Sequence, residues 1–283
     1  MRCFLFVPGD SEKKLHKSES IDVDALIIDL EDAVAPDAKP EARRLAAEFA
    51  SGRDNVWVRI NPMASADAAK DLATVMPSAP AGIVLPKPDS PDDVRSLSDA
   101  LHRLEADNGV EVGSTRIVAL CTERVRALFS LSDYRGATSR LYGLSWGAED
   151  LSSELGASAN RDSDGNWLPP YEMARSLCLF AAHNASVEAI DTVFTDFRDD
   201  QGLSRYAANA ARDGFTGMLA IHPGQVDTIQ AAFTPSQAAL DEARQIVNLF
   251  EANPGVGALA FDGRMLDRPH YEQARKILAR GAG

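Results

Sequence analysis

Residues 25–34 read ALIIDLEDAV, a short run of β-favouring apolar side chains that passes directly into three carboxylates. Runs of this type recur along the chain, and most lack the strict alternation of a strand with one wet face. They therefore favour parallel strands that are covered on one face and packed inward on the other. The predicted strands are 3–7, 25–29, 56–60, 82–85, 116–122, 141–146, 190–195 and 218–221.

The segments between these strands have helical patterns. Apolar residues recur at helical spacing in 38–50, and Ser90 followed by Pro91 is a typical start for a helix over 90–106. Two further helices are predicted over 171–185 and 236–251.

Alternating strands and helices imply parallel pairing with right-handed crossovers. Eight such repeats of roughly thirty residues predict an α/β fold, a closed (β/α)₈ TIM barrel, here placed over residues 1–252. The alternative is a doubly wound open sheet, which would usually carry a glycine-rich phosphate loop after its first strand. Residues 7–10 read VPGD, which is not such a loop.

Two segments exceed what a barrel requires. Residues 154–170 form a long polar stretch after the sixth strand, and long loops of this type are often functional. Residues 253–283 follow the eighth helix with a glycine-rich turn and a short helix. We treat this tail as a separate C-terminal segment.

Composition excludes several classes of protein. The net charge of −13 argues against a nucleic-acid partner, which would need a concentrated positive face. No apolar run is long enough to span a membrane, and the run at the N-terminus is too short for a secretory signal. The three cysteines, Cys3, Cys121 and Cys178, are widely spaced, which indicates reduced thiols and predicts a cytoplasmic protein.

Polar side chains occur at the carboxyl ends of the second to eighth predicted strands. In a barrel these ends share one rim, where such folds have their active sites. A single acidic residue after a strand is often only the N-cap of the next helix, but that explanation does not account for a repeated pattern. The residues concerned are Asp29, Glu31, Asp32, Arg59, Asn61, Lys87, Glu123, Glu149, Asp150, Asp196 and His222.

Several carboxylates on one rim repel each other unless a cation neutralises them. Only oxygen donors are nearby, which favours Mg²⁺ over Zn²⁺, and Glu123 and Asp150 are the candidate ligands. Asp29, Glu31 and Asp32 would orient the waters of the ion.

The basic residues of this rim each have a functional and a structural interpretation. Arg59, within VWVRIN, has the geometry to bind a carboxylate with two hydrogen bonds, or it forms a structural ion pair with Glu31 or Asp32. Lys87 either contacts the substrate or is solvated. His222 more often has a structural role than a catalytic one.

At these residues the chain resembles the citrate-lyase β-subunit-like (HpcH/HpaI aldolase/citrate lyase) family, which includes malyl-CoA and citramalyl-CoA lyases. Each motif is weak alone, but the ordered set spans nearly the whole chain. The motifs are LFVPG at 5–9, DLEDAV at 29–34, Lys39 with Ala42-Arg43, VRIN at 58–61, LPK at 85–87, GAEDL at 147–151, GFTG at 214–217, IHPGQ at 221–225, FTPS at 233–236 and DGRMLD at 262–267.

The resemblance implies that Glu123 and Asp150 hold Mg²⁺ and that Arg59 binds the carboxylate of a 2-keto acid. It also implies that residues 253–283 form a C-terminal lid segment, from which Asp267 reaches over a neighbouring subunit's barrel, and this arrangement gives a homotrimer. One departure stands out, because Arg124 follows Glu123 where the family usually has threonine. We expect the substrate to contact the residues Arg59, Lys87, Gly147, Ala148 and Glu149.

The expected reaction makes or breaks a carbon–carbon bond in a small β-hydroxyacyl-CoA, such as malyl-CoA or citramalyl-CoA. Cleavage would give a 2-keto acid and an acyl-CoA, and condensation would join them. Asp267 would exchange the α-proton of the acyl-CoA as general acid and base. Three alternatives remain open at this stage: a CoA-free metal-dependent 2-keto-acid aldolase, a malate-synthase-like enzyme that hydrolyses the thioester, and a citryl-lyase subunit of a larger complex.

Overall fold

The computed structural model describes residues 1–281. The chain divides into two compact units, Met1–Gln230 and the residues from Ala231 onward. Within the described residues, no helix is both long and apolar enough to cross a lipid bilayer.

The first unit is a closed barrel of eight parallel strands in chain order, which confirms the predicted TIM barrel. The barrel closes where the first strand pairs with the eighth, and Met218 donates a backbone hydrogen bond to the carbonyl of Arg2 at 2.9 Å. The strands are β1 (Cys3–Pro8), β2 (Ala25–Asp29), β3 (Val56–Arg59), β4 (Gly82–Leu85), β5 (Arg116–Leu120), β6 (Leu141–Ser145), β7 (Glu188–Asp191) and β8 (Gly217–Ala220).

Strand β7 starts two residues and ends four residues before the predicted strand 190–195. That prediction followed a run of β-favouring residues, but pairing with the neighbouring strands ends at Asp191. The Asp191 carboxylate accepts the backbone N–H of Thr192 at 2.8 Å, so that amide is not available to a strand partner. The other predicted strands agree with the structure within two residues at each end.

Helices cover the outside of the barrel, and side-chain caps set several of their starts. Ser90 accepts a hydrogen bond from the Asp92 backbone amide, and the helix ends at Gly109, whose φ of 69° suits glycine. The helices of the first unit are α1 (Glu12–Ser18), α2 (Lys39–Ala50), α3 (Ala66–Val75), α4 (Pro91–Asn108), α5 (Ala148–Leu155), α6 (Pro169–Ala185) and α7 (Asp200–Asp213), with 3₁₀ turns at Met76–Ser78, Arg126–Tyr134 and Pro223–Gln225. Helix α8 (Val226–Phe233) spans the boundary between the units, and α9 (Gln237–Ala252) and α10 (Arg268–Gly281) belong to the second unit.

Inward-facing side chains fill the amino-terminal end of the barrel. Trp57 is fully buried there, and Gly82 on the adjacent strand leaves room for its ring, since an added Cβ would lie 2.2 Å from Trp57 Cζ3. Ile27 belongs to the same apolar cluster. Because alternate residues of a strand face the same side, the next inward positions are Asp29 on β2 and Arg59 on β3. The interior therefore changes from apolar to charged toward the carboxyl ends of the strands.

The second unit has its own small core, made by Ile246 and Phe250 of α9 with Leu266 and Ala274. It contains an antiparallel hairpin of β9 (Ala258–Phe261) and β10 (Arg264–Asp267), which the sequence analysis did not predict. The two turn residues, Asp262 and Gly263, have φ values of 47° and 75°. Both being positive is typical of the tight turns that match the twist of paired strands.

Candidate active site

A cavity of about 340 Å³ lies at the carboxyl ends of the barrel strands. Eight residues proposed from the sequence line it: Asp29, Asp32, Arg59, Glu123, Gly147, Ala148, Glu149 and Asp150. The remaining lining residues are mainly apolar and include Phe6, Leu120, Trp146, Val193 and Ile221. An apolar cleft with a few convergent charged groups is the usual form of a small-molecule site.

Arg59 is held by two carboxylates on the wall of this cavity. Its Nε and Nη2 donate to the two oxygens of Asp29 at 2.7 and 2.6 Å, and its Nη1 lies 3.1 Å from Glu31 Oε2. Burial opposes the positive charge, but the hydrogen bonds and charge of Asp29 outweigh it and raise the pKa of Arg59. The ion-pair interpretation is therefore correct for Glu31, with Asp29 as the main partner. Since a guanidinium has five N–H donors, hydrogen-bonding capacity remains for a ligand.

Asp29 also shapes the loop that follows β2. Its carboxylate accepts the backbone amides of Glu31 at 2.9 Å and Ala33 at 3.1 Å. One buried carboxylate thus fixes both the direction of Arg59 and the turn that carries Glu31 and Asp32.

Lys87 lies among the carboxylates and is not merely solvated. Its Nζ is 2.5 Å from Glu31 Oε1, 2.8 Å from Asp32 Oδ2 and 3.1 Å from Asp150 Oδ1. Its backbone N–H donates to Glu123 Oε2 at 2.7 Å. Burial opposes the charge, but the bonds to Asp32 and Glu31 raise the pKa of the ammonium. Lys87, which was expected to contact the substrate, is not itself among the lining residues of the cavity but contacts the acidic residues that are.

Glu123 follows β5 and is 4% exposed. Burial, followed by the charges of Asp150 and Glu31, raises its pKa well above the ordinary value, and Arg59 only partly offsets this. Gly147 lies against it, since an added Cβ there would be 2.6 Å from Glu123 Cγ. The site therefore holds a buried carboxylate whose negative charge is poorly compensated by the protein alone.

The charge balance of the site fits a divalent cation. The site contains five carboxylates, those of Asp29, Glu31, Asp32, Glu123 and Asp150. Arg59 and Lys87 form ion pairs with four of them, and Lys39 adds a positive charge near Asp32. Glu123 accepts only a backbone amide, that of Lys87, among the hydrogen bonds of the described residues. Among residues 1–281 no group of three or more His, Cys, Asp or Glu side chains forms a ready-made metal cage. Mg²⁺ does not require one, because it is commonly held by one or two carboxylates with water and substrate oxygens. A pair such as Glu123 and Asp150, which both contact Lys87, is a donor set of this type.

Helix α5 presents the GAED segment to the cavity. Glu149 and Asp150 lie in its first turn, where the positive end of the helix dipole favours negative groups. Glu149 also accepts a hydrogen bond from Asn160 at 3.0 Å, which ties the following loop to the site.

The sequence analysis missed Trp146, which is fully buried and lines the cavity. Its indole N–H donates to Asp191 Oδ1 at 2.6 Å, and Arg175 Nη2 lies 2.8 Å from the other oxygen of Asp191. A buried tryptophan normally requires an acceptor for its N–H. The signal in the sequence that could have identified Trp146 as a site residue was its position directly before the GAED motif.

Five of the strand-end polar residues lie outside the lining of the cavity: Glu31 and Lys87, which contact its acidic residues, and Asn61, Asp196 and His222. Asn61 donates to Asp71 at 2.7 Å in a separate buried cluster. Asp196 accepts the backbone amide of Arg198. His222 accepts the amide of Gly224 through Nδ1, which agrees with the structural role expected for it. These three bonds belong to the packing and turns around the site.

Asp267 belongs to the second unit, at the end of β10. Its Oδ1 lies 2.6 Å from Nδ1 of His270, and the side chain is about half exposed. The carboxylate is therefore available to solvent and oriented by a neighbour within its own unit.

Comparisons with known proteins identify relatives in sequence and in structure. The chain is 33% identical over 297 residues to the mitochondrial citramalyl-CoA lyase of Rattus norvegicus, covering 98% of this chain and 85% of that protein. It is 34% identical over 285 residues to citrate lyase subunit beta of Escherichia coli K12, covering 99% and 92%. The crystal structure of CitE from Mycobacterium tuberculosis with magnesium, acetoacetate and coenzyme A is 31% identical, with a TM-score of 0.84, covering 100% of this chain and 98% of that one.

The family profile of HpcH/HpaI aldolase/citrate lyase matches residues 2–223, which include all eight barrel strands. Together with the two relatives above, this match confirms the resemblance inferred from the ordered motifs. The chain belongs to the HpcH/HpaI aldolase/citrate lyase family.

Proposed function

We propose that this chain is a Mg²⁺-dependent carbon–carbon lyase that acts on a small β-hydroxyacyl-CoA of the malyl-CoA or citramalyl-CoA type. The products of cleavage are a 2-keto acid and an acyl-CoA. The observation that carries this proposal is the buried Glu123, whose charge is poorly compensated beside Asp150 and Arg59. Support comes from the relative with magnesium, acetoacetate and coenzyme A bound.

Glu123 and Asp150 are the residues proposed to hold the ion. When bound, Mg²⁺ supplies Lewis acidity, which favours ionisation of a substrate hydroxyl near neutral pH. The Lys87 backbone amide donates a hydrogen bond to Glu123 and its ammonium forms an ion pair with Asp150, so Lys87 contacts both carboxylates.

Arg59 is proposed to orient the carboxylate of the 2-keto-acid part. Its guanidinium is fixed by Asp29, so little side-chain freedom is lost when a ligand binds. Gly147, Ala148 and Glu149 line the same cavity and are proposed to contact the substrate.

Asp267 is proposed as the group that moves the α-proton. In cleavage it gives a proton to the α-carbon of the departing acyl-CoA, and in condensation its carboxylate removes that proton. We propose that the segment 253–283 acts as a lid over the barrel of a neighbouring subunit in a homotrimer. Size-exclusion chromatography with light scattering tests this, since a trimer has three times the 30.4 kDa mass of the chain.

A cytoplasmic location belongs to the same proposal. The three cysteines are free and buried, as expected of a protein from a reducing compartment. Fractionation of cells that produce the full-length protein would test this.

A second function has one observation in its favour. The similarity to citrate lyase subunit beta, over 99% of the chain, favours a subunit that acts only with acyl-carrier and transferase partners. Such a chain would be inactive on free CoA thioesters and active once the partner proteins are added.

The decisive experiment incubates the purified chain and Mg²⁺ with malyl-, citramalyl- and 3-hydroxy-3-methylglutaryl-CoA. Mass spectrometry should detect a 2-keto acid and an intact acyl-CoA from at least one of the first two substrates. Release of free CoA thiol would instead indicate thioester hydrolysis. Cleavage of free hydroxy acids without CoA would indicate an aldolase. Absence of turnover with every substrate, even with partner proteins, would overturn the proposal.

A further inference from the structure

Arg124 lies next to the candidate metal ligand Glu123 but takes no part in lining the cavity. Its Nε is 3.1 Å from Asp89 Oδ1 and 3.9 Å from Glu154 Oε2. Asp89 belongs to the loop after β4, two residues beyond Lys87, and Glu154 is in α5, one turn beyond Asp150. One side chain therefore bridges the two segments that flank Glu123.

Both contacts of Arg124 are reinforced by their surroundings. Asp89 Oδ1 is buried and accepts no hydrogen bond among the described residues, so Arg124 supplies the charge that compensates it. Glu154 Oε2 also accepts the backbone amide of Val125 at 3.0 Å. Because the Asp89 side chain is 42% exposed, loss of the guanidinium would let water reach this oxygen and free the loop to shift, at little cost in overall stability.

The loop that Arg124 holds is under conformational strain at Lys87. The φ of Lys87 is 49°, in the left-handed region that non-glycine residues rarely adopt. This conformation places the Lys87 amide on Glu123 while its ammonium reaches Asp150. A strained backbone persists only where its surroundings fix it, and the bridge from Asp89 to Arg124 is one such constraint.

We propose that Arg124 is a positioning residue: by joining Asp89 to Glu154 it keeps the Lys87 loop and α5 in register on either side of Glu123. Arg124 thereby acts on Glu123 and Asp150 through Lys87. The consequence for catalysis rests on the function proposed above, whereas the consequence for the loop does not.

The test compares Arg124→Ala with Arg126→Ala. Arg126 is a matched control, because it lies 3.9 Å from the same Asp89 and is 80% exposed. Hydrogen–deuterium exchange of a peptide covering residues 84–90 should be faster in Arg124→Ala and unchanged in the control. Mg²⁺ affinity, measured by calorimetry, should fall about 10-fold, the lower end for residues that support metal ligands. The melting temperature should change little, because half-exposed ion pairs contribute little stability.

Two further variants separate positioning from general damage. Arg124→Lys keeps the charge and should restore part of the Mg²⁺ affinity. Asp89→Asn combined with Arg124→Ala should be no worse than Arg124→Ala alone, because both changes break the same bridge. Unchanged exchange and affinity in Arg124→Ala, or equal losses in Arg126→Ala, would overturn the inference. A native protein that binds no Mg²⁺ and has no activity would count against the proposed function, while the exchange rates would still decide the role of Arg124.

Discussion

The substitution Glu123→Gln should make the metal-free protein more stable at neutral pH. Burial and the charges of Asp150 and Glu31 raise the pKa of Glu123 well above its ordinary value of 4.5. Glutamine has nearly the same shape and keeps an oxygen to accept the Lys87 amide, which now lies 2.7 Å from Glu123 Oε2. The change therefore removes an unfavourable charge without opening a cavity.

The pH dependence follows from the direction of this pKa shift. Below pH 4.5 Glu123 of the wild-type protein is protonated in both the folded and the unfolded state, so the wild-type protein and the variant should be similarly stable. Above pH 4.5 the unfolded wild-type chain releases the proton that the folded chain keeps. The free energy of unfolding of the wild-type protein therefore falls as pH rises. The fall relative to Glu123→Gln is at most about 1.4 kcal/mol per pH unit and ends once the pH passes the folded pKa.

Urea unfolding in the presence of EDTA, from pH 4.5 to 8, measures this difference for both proteins. Repeating it with Mg²⁺ at a hundred times its Kd should add about 2.7 kcal/mol to the native protein and nothing to the variant. Parallel stability curves without metal would refute the reasoning. They would mean that the protein itself already compensates the charge of Glu123, so that the site has no need of a cation.

Three further predictions concern other positions. Gly147→Ala places a Cβ 2.6 Å from Glu123 Cγ and should weaken Mg²⁺ binding at least about 10-fold by calorimetry; unchanged affinity would contradict the packing argument. Asp267→Asn should lower turnover by roughly 10²- to 10⁴-fold while Mg²⁺ and pyruvate still bind, and normal turnover would exclude Asp267 as the base. Although burial opposes its charge, hydrogen bonds from Arg140 and backbone amides lower the pKa of Glu105 to about 2. Glu105→Gln should cost about 3–5 kcal/mol in urea unfolding at pH 7, and this difference should shrink as pH falls from 4.5 toward 2.

The barrel could be predicted because its signals are local. Each apolar run is long enough for one strand, and the polar residue that ends it marks the rim. The shift of β7 could not be predicted in this way, because Thr192 and Val193 also favour strands and only the turn at Asp191 ends the pairing. The hairpin of the second unit did have a local signal. Asp262-Gly263 lies between apolar residues, a sequence typical of two-residue turns.

The sequence indicated which charged residues form the candidate site, but not which of them pair with each other. Strand ends indicated which charges lie on the rim, whereas the partners of each charge depend on neighbouring strands. Thus Arg59 binds Asp29 across β2 and β3, and Asn61, two residues further along, turns to Asp71 in another cluster. Lys87 reaches three carboxylates through a backbone conformation that no side-chain pattern reveals.

The seam that closes the barrel determines how the protein can be attached to a surface. The backbone of residues 1 and 2 fills the gap beside β8, so closely that a side chain at Gly217 would lie 2.9 Å from the carbonyl oxygens of Met1 and Arg2. Any linker joined ahead of Met1 leaves at the amino-terminal face, away from the mouth of the cavity. A sensor chip or resin coupled there leaves the mouth of the cavity clear of the coupling.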